Sequence, residues 1–191
     1  MPPTGPESSG PPAGLDRIGR VGQNGVMAVV RPTEPADLPG VHRLIGAIYQ
    51  EYDQVLNVEA DEPHLVNPGQ YFRKDGGEFW VVEVDGTIRA TVAVRLHPDQ
   101  AELKSLYVHP SLRRQGWGEK LTRMAIDWAR RAGKPRMILW SDVTFTRAHR
   151  LYERLGFTRF GERQLHDTNN AREYGYALPL APQEPAEDRR T

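Results

Sequence analysis

Apolar residues recur along the first half of this chain at strand spacing in some segments and at helical spacing in others. Met27–Arg31 is a short β-like run, and the apolar stripe that follows it predicts a helix over 36–52. Glu78–Val84 and Thr87–Leu96 predict two strands, because Asp85-Gly86 between them readily adopts the positive φ angles of a tight hairpin. The intervening residues 53–76 are irregular, apart from a short helix predicted over Pro68–Lys74.

The second half alternates between the two spacings. Its predicted elements, in chain order, are a strand over Ala101–Val108, a helix from Trp117 that stops at Gly133, a strand over Met137–Trp140, a helix through Phe145 and Leu155 that stops at Gly156, and strands over Phe157–Phe160 and Glu173–Leu178. The pattern predicts an α/β domain whose middle strands form an antiparallel meander.

Composition divides the chain into three parts. Residues 1–24 are rich in Pro, Gly and Ser, and 181–191 combine proline with mixed charges, so both segments are predicted to be disordered tails. Residues 25–180 are left as one domain. With 25 basic and 25 acidic residues among 191, the chain has no net field that would attract nucleic acid.

Several classes of site and location are disfavoured by what the sequence does not contain. It has no cysteine, and its six histidines show no paired spacing on one helix, so no metal site is expected. It has no apolar run of membrane-spanning length. We therefore expect a soluble, cytoplasmic protein that binds neither a membrane nor nucleic acid.

The segment Arg113-Arg114-Gln115-Gly116-Trp117-Gly118 joins a predicted strand to a predicted helix. Glycine leaves room for a ligand, and the first N–H groups of a helix lack intrahelical acceptors, so the turn resembles an anion seat. Neither the nucleotide P-loop pattern nor the third glycine of a dinucleotide fold is present. The alternative is that the two glycines only make the turn.

Two motifs together resemble the GNAT superfamily of acyl-CoA-dependent N-acyltransferases. The first is Arg/Gln-x-x-Gly-x-Gly/Ala, matched by Arg113, Gly116 and Gly118 after Leu106-Tyr107-Val108-His109-Pro110. The second is Ala148-x-x-Leu151-Tyr152-x-x-x-Gly156-Phe157. The resemblance covers about residues 27–178.

The resemblance implies a mixed sheet of about seven strands, splayed at its centre and flanked by about four helices. It also implies acetyl-CoA as acyl donor, with its pyrophosphate held by the N–H groups of residues 113–118. The residues expected to contact this cofactor are Leu106, Tyr107, Val108, Arg113, Arg114, Gln115, Gly116, Trp117 and Gly118. Many relatives carry Asn where this chain has Phe145, which removes one expected polar contact.

Two residues are candidates for the chemistry. Tyr152 matches the tyrosine that many family members place beside the thioester sulfur, although its helical spacing with apolar residues is also typical of a core aromatic. Glu102 is the candidate base, because alternation predicts that it shares a face with Leu106 and Val108, where apolar neighbours would raise its pKa. Its alternative is an exposed charge paired with Lys104.

The resemblance places acceptor binding at the end of the first helix and in the last hairpin. Tyr49, Tyr52 and His166 are the candidates there, and the acidic and aromatic character of these segments suits a cationic amine. We expect an enzyme that transfers acetyl from acetyl-CoA to a primary amine of a small molecule or peptide by direct attack in a ternary complex. A silent acyl-CoA-binding sensor is the alternative, dimerisation is expected from the resemblance alone, and the acceptor stays open.

Overall fold

The computed structural model describes residues 20–21 and 26–180. Within them, the strands are β1 Arg20–Val21, β2 Val26–Pro32, β3 Glu78–Val84, β4 Thr87–Leu96, β5 Ala101–Val108, β6 Arg136–Asp142, β7 Thr158–Gln164 and β8 Arg172–Pro179. The α-helices are α1 Leu38–Gln50, α2 Pro68–Arg73, α3 Trp117–Arg131 and α4 Thr146–Arg154.

Strands β2 to β8 form one mixed sheet in the order β2-β3-β4-β5-β6-β8-β7, and the two-residue β1 extends it beside β2. Neighbouring strands are antiparallel except for β5 and β6, which run parallel. The predicted seven-stranded mixed sheet with four helices is confirmed. Strand β1 lies inside the segment predicted to be a tail, whereas residues 1–19, 22–25 and 181–191 lie outside the described part of the chain.

Two local predictions are confirmed. Asp85 and Gly86, with φ of 48° and 69°, form the two-residue turn between β3 and β4. The short helix α2 begins after Asn67, whose side chain accepts a hydrogen bond from the N–H group of Gln70, and it has proline at its first turn.

The sheet has an apolar core on each face. One core contains Val41, Ile45, Phe72 and Phe79, and it packs α1 and α2 against the sheet. The other core contains the apolar stripe of α3, such as Leu121 and Ala125, together with Tyr152 of α4. Because both faces are covered, residues 78–82 of β3 and 90–94 of β4 are buried.

Arg31 on β2 joins the start of α1 to the sheet. Its two terminal nitrogens donate to the two oxygens of Asp37, both at 2.7 Å, and one also donates to Glu83 at 2.8 Å. The N–H group of Glu34 donates to Asp37 as well, at 2.8 Å. The Arg31 guanidinium, foremost among these donors, lowers the pKa of the Asp37 carboxyl below its usual value.

Strands β5 and β6 separate soon after they begin. Over the described residues they pair only from Ala101–Leu103 to Met137–Leu139, and the rest of β5 leaves its neighbour. The separation confirms the predicted splay, and it opens a gap in the sheet directly before the glycine turn.

Strand β5 also contains a bulge at Ser105. The register with β4 shifts between Thr91 and Ala93, Ser105 has a φ of 51°, and its carbonyl accepts a hydrogen bond from the Thr91 hydroxyl at 2.7 Å. A bulge inserts one residue into the alternation, so side chains on either side of it exchange faces.

Candidate active site

Two cavities adjoin at the gap between β5 and β6. The larger, of about 720 Å³, extends over the glycine turn and the starts of α3 and α4. The smaller, of about 120 Å³, lies beneath the loop that follows α1 and the loop that joins β7 to β8. The cavities share four lining residues, which are Leu106, Tyr107, Phe145 and Ala148. Ligands in the two cavities would therefore meet at the gap.

The larger cavity contains most of the predicted cofactor residues. Eight of the nine line it: Leu106, Tyr107, Val108, Arg113, Arg114, Gly116, Trp117 and Gly118. Gln115 is the ninth, and its side-chain amide instead donates to the Ser111 carbonyl at 2.6 Å. The Trp117 side chain is buried in the core, so its contribution to the cavity wall is limited to a small exposed part and its backbone.

The two motif glycines have different structural reasons. Gly116 precedes α3 with a φ of 79°, a left-handed conformation that side chains disfavour. Gly118 lies against α4, where an added Cβ would come within 3.2 Å of a Leu151 methyl carbon. Helix geometry leaves the first N–H groups of α3 without intrahelical acceptors, facing the cavity. The N–H group of Arg113 already donates to Pro110, so the available donors lie nearer the start of α3.

Arginines give the larger cavity its charge. Arg113 and Arg114 were expected there, and Arg147 and Arg154 from α4 also line it. The sequence signal for the last two was their seven-residue spacing on one helix, which places them on the same side. Arg113 is held by Glu51 in a bidentate pair at 2.6 and 2.9 Å. This set of cations and N–H donors suits a phosphorylated ligand.

Tyr152 lines the smaller cavity from α4 and is 5% exposed. Its ring packs near Phe157 and Tyr176, with centroids 5.8 and 6.0 Å away. Burial raises the pKa of its hydroxyl well above the usual value, so the group keeps its proton at neutral pH. Core packing and a cavity-facing position therefore coexist, and the catalytic role stays a prediction.

The face predicted for Glu102 is wrong. Ala101 and Leu103 pack in the same core as Leu106 and Val108, so alternation directs Glu102 to the opposite side of β5. The reason is the Ser105 bulge, which uninterrupted alternation does not anticipate.

The predicted environment of Glu102 is also corrected. It does line the smaller cavity, but its carboxylate lies 3.0 Å from His97 and 3.6 Å from Lys104. The alternative pairing with Lys104 is confirmed, whereas the exposed position expected with it is wrong, because the Glu102 side chain is only 12% exposed. Although burial raises its pKa, the charges of Lys104 and His97 outweigh burial, and the pKa is lowered overall. The expected raised pKa is therefore absent at this residue.

The smaller cavity contains a hydrogen-bonded cluster that the sequence did not reveal. Tyr107 donates to the Tyr49 hydroxyl at 3.3 Å, and Tyr49 donates to Glu62 at 2.7 Å. The other Glu62 oxygen lies 3.4 Å from His64 Nδ1, and His64 Nε2 lies 3.0 Å from the Ser105 hydroxyl. Glu62 and His64 come from the segment 53–76, where no periodicity indicated a site.

The three predicted acceptor residues do not share one location. Tyr49 lines the smaller cavity, whereas Tyr52 lines the larger one and packs edge-on against Phe145 with ring centroids 4.7 Å apart. His166 is exposed and, unlike its neighbours Leu165 and Asp167, does not line the smaller cavity.

Two loops form a roof over the smaller cavity. Asn169 bonds both the N–H and the carbonyl of Val55, at 2.8 and 2.9 Å. Asn57 donates to the Thr168 hydroxyl at 3.1 Å, and the Thr168 N–H group donates to Asp61. These bonds connect residues more than 100 positions apart, so the roof depends on long-range contacts between the two loops.

The smaller cavity is strongly acidic. Six carboxylates line it, and they belong to Asp61, Glu62, Glu102, Asp142, Asp167 and Glu173. Two cationic side chains, Lys104 and Arg163, accompany them.

Among the described residues, no helix is long and apolar enough to cross a membrane, and no cluster of three or more potential ligands could hold a metal ion.

Comparisons with known proteins agree with this geometry. The family model described as acetyltransferase (GNAT) family matches residues 42–157. The uncharacterized N-acetyltransferase YjgM of Escherichia coli is 30% identical over 135 residues, covering 68% of this chain and 81% of YjgM. A GNAT-family acetyltransferase structure from Staphylococcus aureus Mu50 superposes with a TM-score of 0.72 at 20% identity, covering 81% of this chain and 99% of that one.

A further fold match is the structure of yncA from Salmonella typhimurium with its cofactor acetyl-CoA. It has a TM-score of 0.63 at 21% identity and covers 85% of this chain and 99% of that one. The family model spans more than half of the present chain, and it includes both the glycine turn and Tyr152. The chain therefore belongs to the GNAT acetyltransferase family and is an acyltransferase.

Proposed function

We propose that this enzyme transfers an acetyl group from acetyl-CoA to the primary amine of a small cationic molecule. One observation carries the proposal, namely that the arginine-lined larger cavity and the acidic smaller cavity share Leu106, Tyr107, Phe145 and Ala148 at the gap between β5 and β6. A donor in the larger cavity and an acceptor in the smaller one would meet at that wall. Direct transfer in a ternary complex follows, and the absence of cysteine removes the usual thiol carrier.

The residues of the larger cavity fit a phosphorylated donor. Gly116 has open space around the position of a Cβ, so a phosphate can approach the backbone there. Arg114 from the glycine turn and Arg147 and Arg154 from α4 supply positive charge to the same cavity. Acetyl-CoA also accompanies the fold match from Salmonella typhimurium, which supports the choice of donor.

The acceptor follows from charge and enclosure. Six carboxylates against two cationic side chains favour an ammonium group, and Tyr49 and Trp140 add aromatic surface. The two hydrogen bonds between Asn169 and Val55 join two loops that line this cavity, and we expect the resulting roof to hinder the entry of a polypeptide. A cavity of about 120 Å³ accommodates a short chain rather than a folded protein surface.

The chemistry needs two proton movements. Acetyl-CoA supplies an acetyl thioester whose carbonyl carbon takes the amine nitrogen. An alkylammonium has a pKa of about 10.4, so it must lose a proton before its nitrogen can attack at neutral pH. To the Tyr152 hydroxyl, which burial keeps protonated and which lines the smaller cavity, we assign the donation of a proton to the departing sulfur.

Release of free thiol from acetyl-CoA tests the proposal. The purified chain is mixed with acetyl-CoA and with separate pools of small metabolite amines, polyamines, aminoglycosides and short peptides, and a reaction without acceptor gives the background. We expect thiol release with at least one small-amine pool and none with peptides. The cysteine-free chain adds no thiol signal of its own.

Two outcomes would contradict the proposal. Thiol release with peptides alone would refute the small acceptor, because the roof would then have to open for a polypeptide. Acetyl-CoA binding by calorimetry without thiol release from any pool would refute catalysis and favour a binding module.

A further inference from the structure

We propose that Glu62 is the base that takes the proton from the acceptor's ammonium group, in place of Glu102. This assignment rests on the proposed acetyl transfer to an amine. In the step, an N–H bond of the ammonium breaks and its electron pair stays on nitrogen, while an O–H bond forms on a Glu62 carboxylate oxygen. The neutral nitrogen then attacks, and Glu62 returns the proton to solvent.

Position is the first argument. Glu62 lines the smaller cavity together with Tyr107, which also lines the larger cavity. The Tyr49 hydroxyl connects the two, since it donates to Glu62 at 2.7 Å and accepts from Tyr107 at 3.3 Å. The carboxylate therefore belongs to the wall of the acceptor cavity and is linked by hydrogen bonds to the wall that donor and acceptor share.

Other carboxylates of the smaller cavity already have charged or hydrogen-bonding partners. Glu173 is paired with Arg163 at 2.6 Å, and Glu102 with His97 and Lys104. The Arg163 and Lys104 charges and the hydrogen bond from His97 favour the charged form of these carboxylates and weaken them as bases.

Backbone and amide donors occupy further cavity carboxylates. Asp142 accepts from Gln54 and from the N–H and hydroxyl groups of Thr144. Asp167 accepts from the Ala171 N–H group at 2.8 Å. The short hydrogen bond to Glu62, by contrast, comes from a neutral phenol that keeps its proton, because burial raises the pKa of Tyr49 far above its usual value.

His64 orients the Glu62 carboxylate through a neutral imidazole ring. Burial lowers the pKa of His64 to about 3, so the ring is neutral at pH 7. A ring that carries its proton on Nδ1 donates toward Glu62 and accepts from the Ser105 hydroxyl at Nε2. The left-handed φ of Ser105 places that hydroxyl, which gives the strained bulge a role in the site.

The groups around Glu62 come from several elements. Burial raises its pKa, and Glu173 on β8 and Asp61 on the same loop act in the same direction. The hydrogen bond from Tyr49 on α1 and the charge of Lys104 on β5 oppose them, but the pKa remains raised overall. A raised carboxyl pKa brings its basicity closer to that of the amine it must deprotonate.

The test compares Glu62→Gln with Glu59→Gln, a matched control on the same loop whose side chain is exposed and does not line the cavity. The probe is the primary amine that gives the fastest thiol release in the pooled assay. For the wild type we expect kcat/KM to be flat over about pH 7 to 9, because a base that takes the proton from the bound ammonium allows the protonated amine to react.

For Glu62→Gln we expect kcat/KM at pH 7 to fall by at least about 10²-fold. It should then rise about tenfold per pH unit toward the pKa of the amine, because only the neutral fraction reacts. Glu59→Gln should follow the wild-type profile. Acetyl-CoA affinity and thermal unfolding show whether Glu62→Gln is folded.

A second variant keeps the carboxylate and moves its pKa. Tyr49→Phe removes a hydrogen bond to the charged form, so the acidic limb of kcat/KM should shift to higher pH. In parallel, carbon NMR of the ligand-free protein, assigned by the signal lost in Glu62→Gln, should show the Glu62 carboxyl titrating above an ordinary glutamate.

The assignment requires each of these results. A Glu62→Gln profile parallel to the wild type, an acidic limb unmoved by Tyr49→Phe, or an ordinary titration midpoint would overturn it while leaving the proposed acetyl transfer intact. A wild-type chain that acetylates none of the amines would instead refute the proposed function itself, and this inference with it.

Discussion

Replacing Gly116 with alanine tests whether the glycine before α3 serves only the left-handed turn or also leaves room for a phosphate. Gly116 has a φ of 79°, and Gly133, at the other end of the same helix, has a φ of 67°. At both positions, a Cβ would have no heavy atom within 4 Å in the described chain beyond its immediate neighbours. Gly133→Ala is therefore a matched control, because it strains the backbone similarly but does not line the larger cavity.

The left-handed conformation costs an alanine about 1–2 kcal/mol. For a domain of about 150 residues, this lowers the melting temperature by roughly 2–8 °C, and we expect both variants to show it. The variants should differ in binding. At Gly116, the added methyl group occupies space that a phosphate needs, and we expect acetyl-CoA affinity to fall at least about tenfold, which corresponds to about 1.4 kcal/mol.

Thermal unfolding without ligand and calorimetric titration with acetyl-CoA measure the two effects. Gly133→Ala should bind acetyl-CoA as the wild type does. If Gly116→Ala were destabilised as expected and still bound acetyl-CoA with wild-type affinity, the glycine would serve the turn alone, and the phosphate seat would have to lie elsewhere.

Three further predictions concern other parts of the molecule. Tyr152→Phe should lower kcat by about 10²-fold while the calorimetric affinity for acetyl-CoA stays the same, and an unchanged turnover number would remove Tyr152 from the mechanism. Glu51→Gln removes a carboxylate that competes with phosphate for Arg113. Because the ion pair is partly exposed, we expect acetyl-CoA affinity to rise by up to about fivefold at low salt. Weaker binding would show that Glu51 instead positions Arg113. Asp37→Asn should lower the unfolding free energy by about 2 kcal/mol at pH 7. Because the folded-state pKa of Asp37 is lowered, its contribution to the unfolding free energy is present above the unfolded pKa of about 3.9 and is lost as pH falls below that value. Denaturant unfolding should therefore show a smaller difference between Asp37→Asn and the wild type at pH 3 than at pH 7.

The parts of the fold that follow from local chemistry were predictable from the sequence. The Asp85-Gly86 turn and the glycine start of α3 depend on φ angles that few residues accept, so their residue types reveal the conformation. The apolar stripe of α3 likewise records which face is buried.

The proposed acceptor site was less predictable, because its residues are brought together by long-range contacts. The Ser105 bulge has no glycine to mark it, and it reverses the face predicted for Glu102. Glu62 and His64 lie on a loop without periodicity, and His64 meets Ser105 across 41 positions of sequence. Neither spacing nor composition encodes such a meeting.

The bulge at Ser105 has a consequence for how this enzyme can change over generations. A substitution of Val55 or Asn169 would alter the acceptor side alone, because both residues line the smaller cavity and neither lines the larger one. Deleting a single residue near Ser105 would instead exchange inward and outward side chains along half of β5. We therefore expect point mutations to change the acceptor preference, whereas the length of β5 cannot change without reversing its side chains.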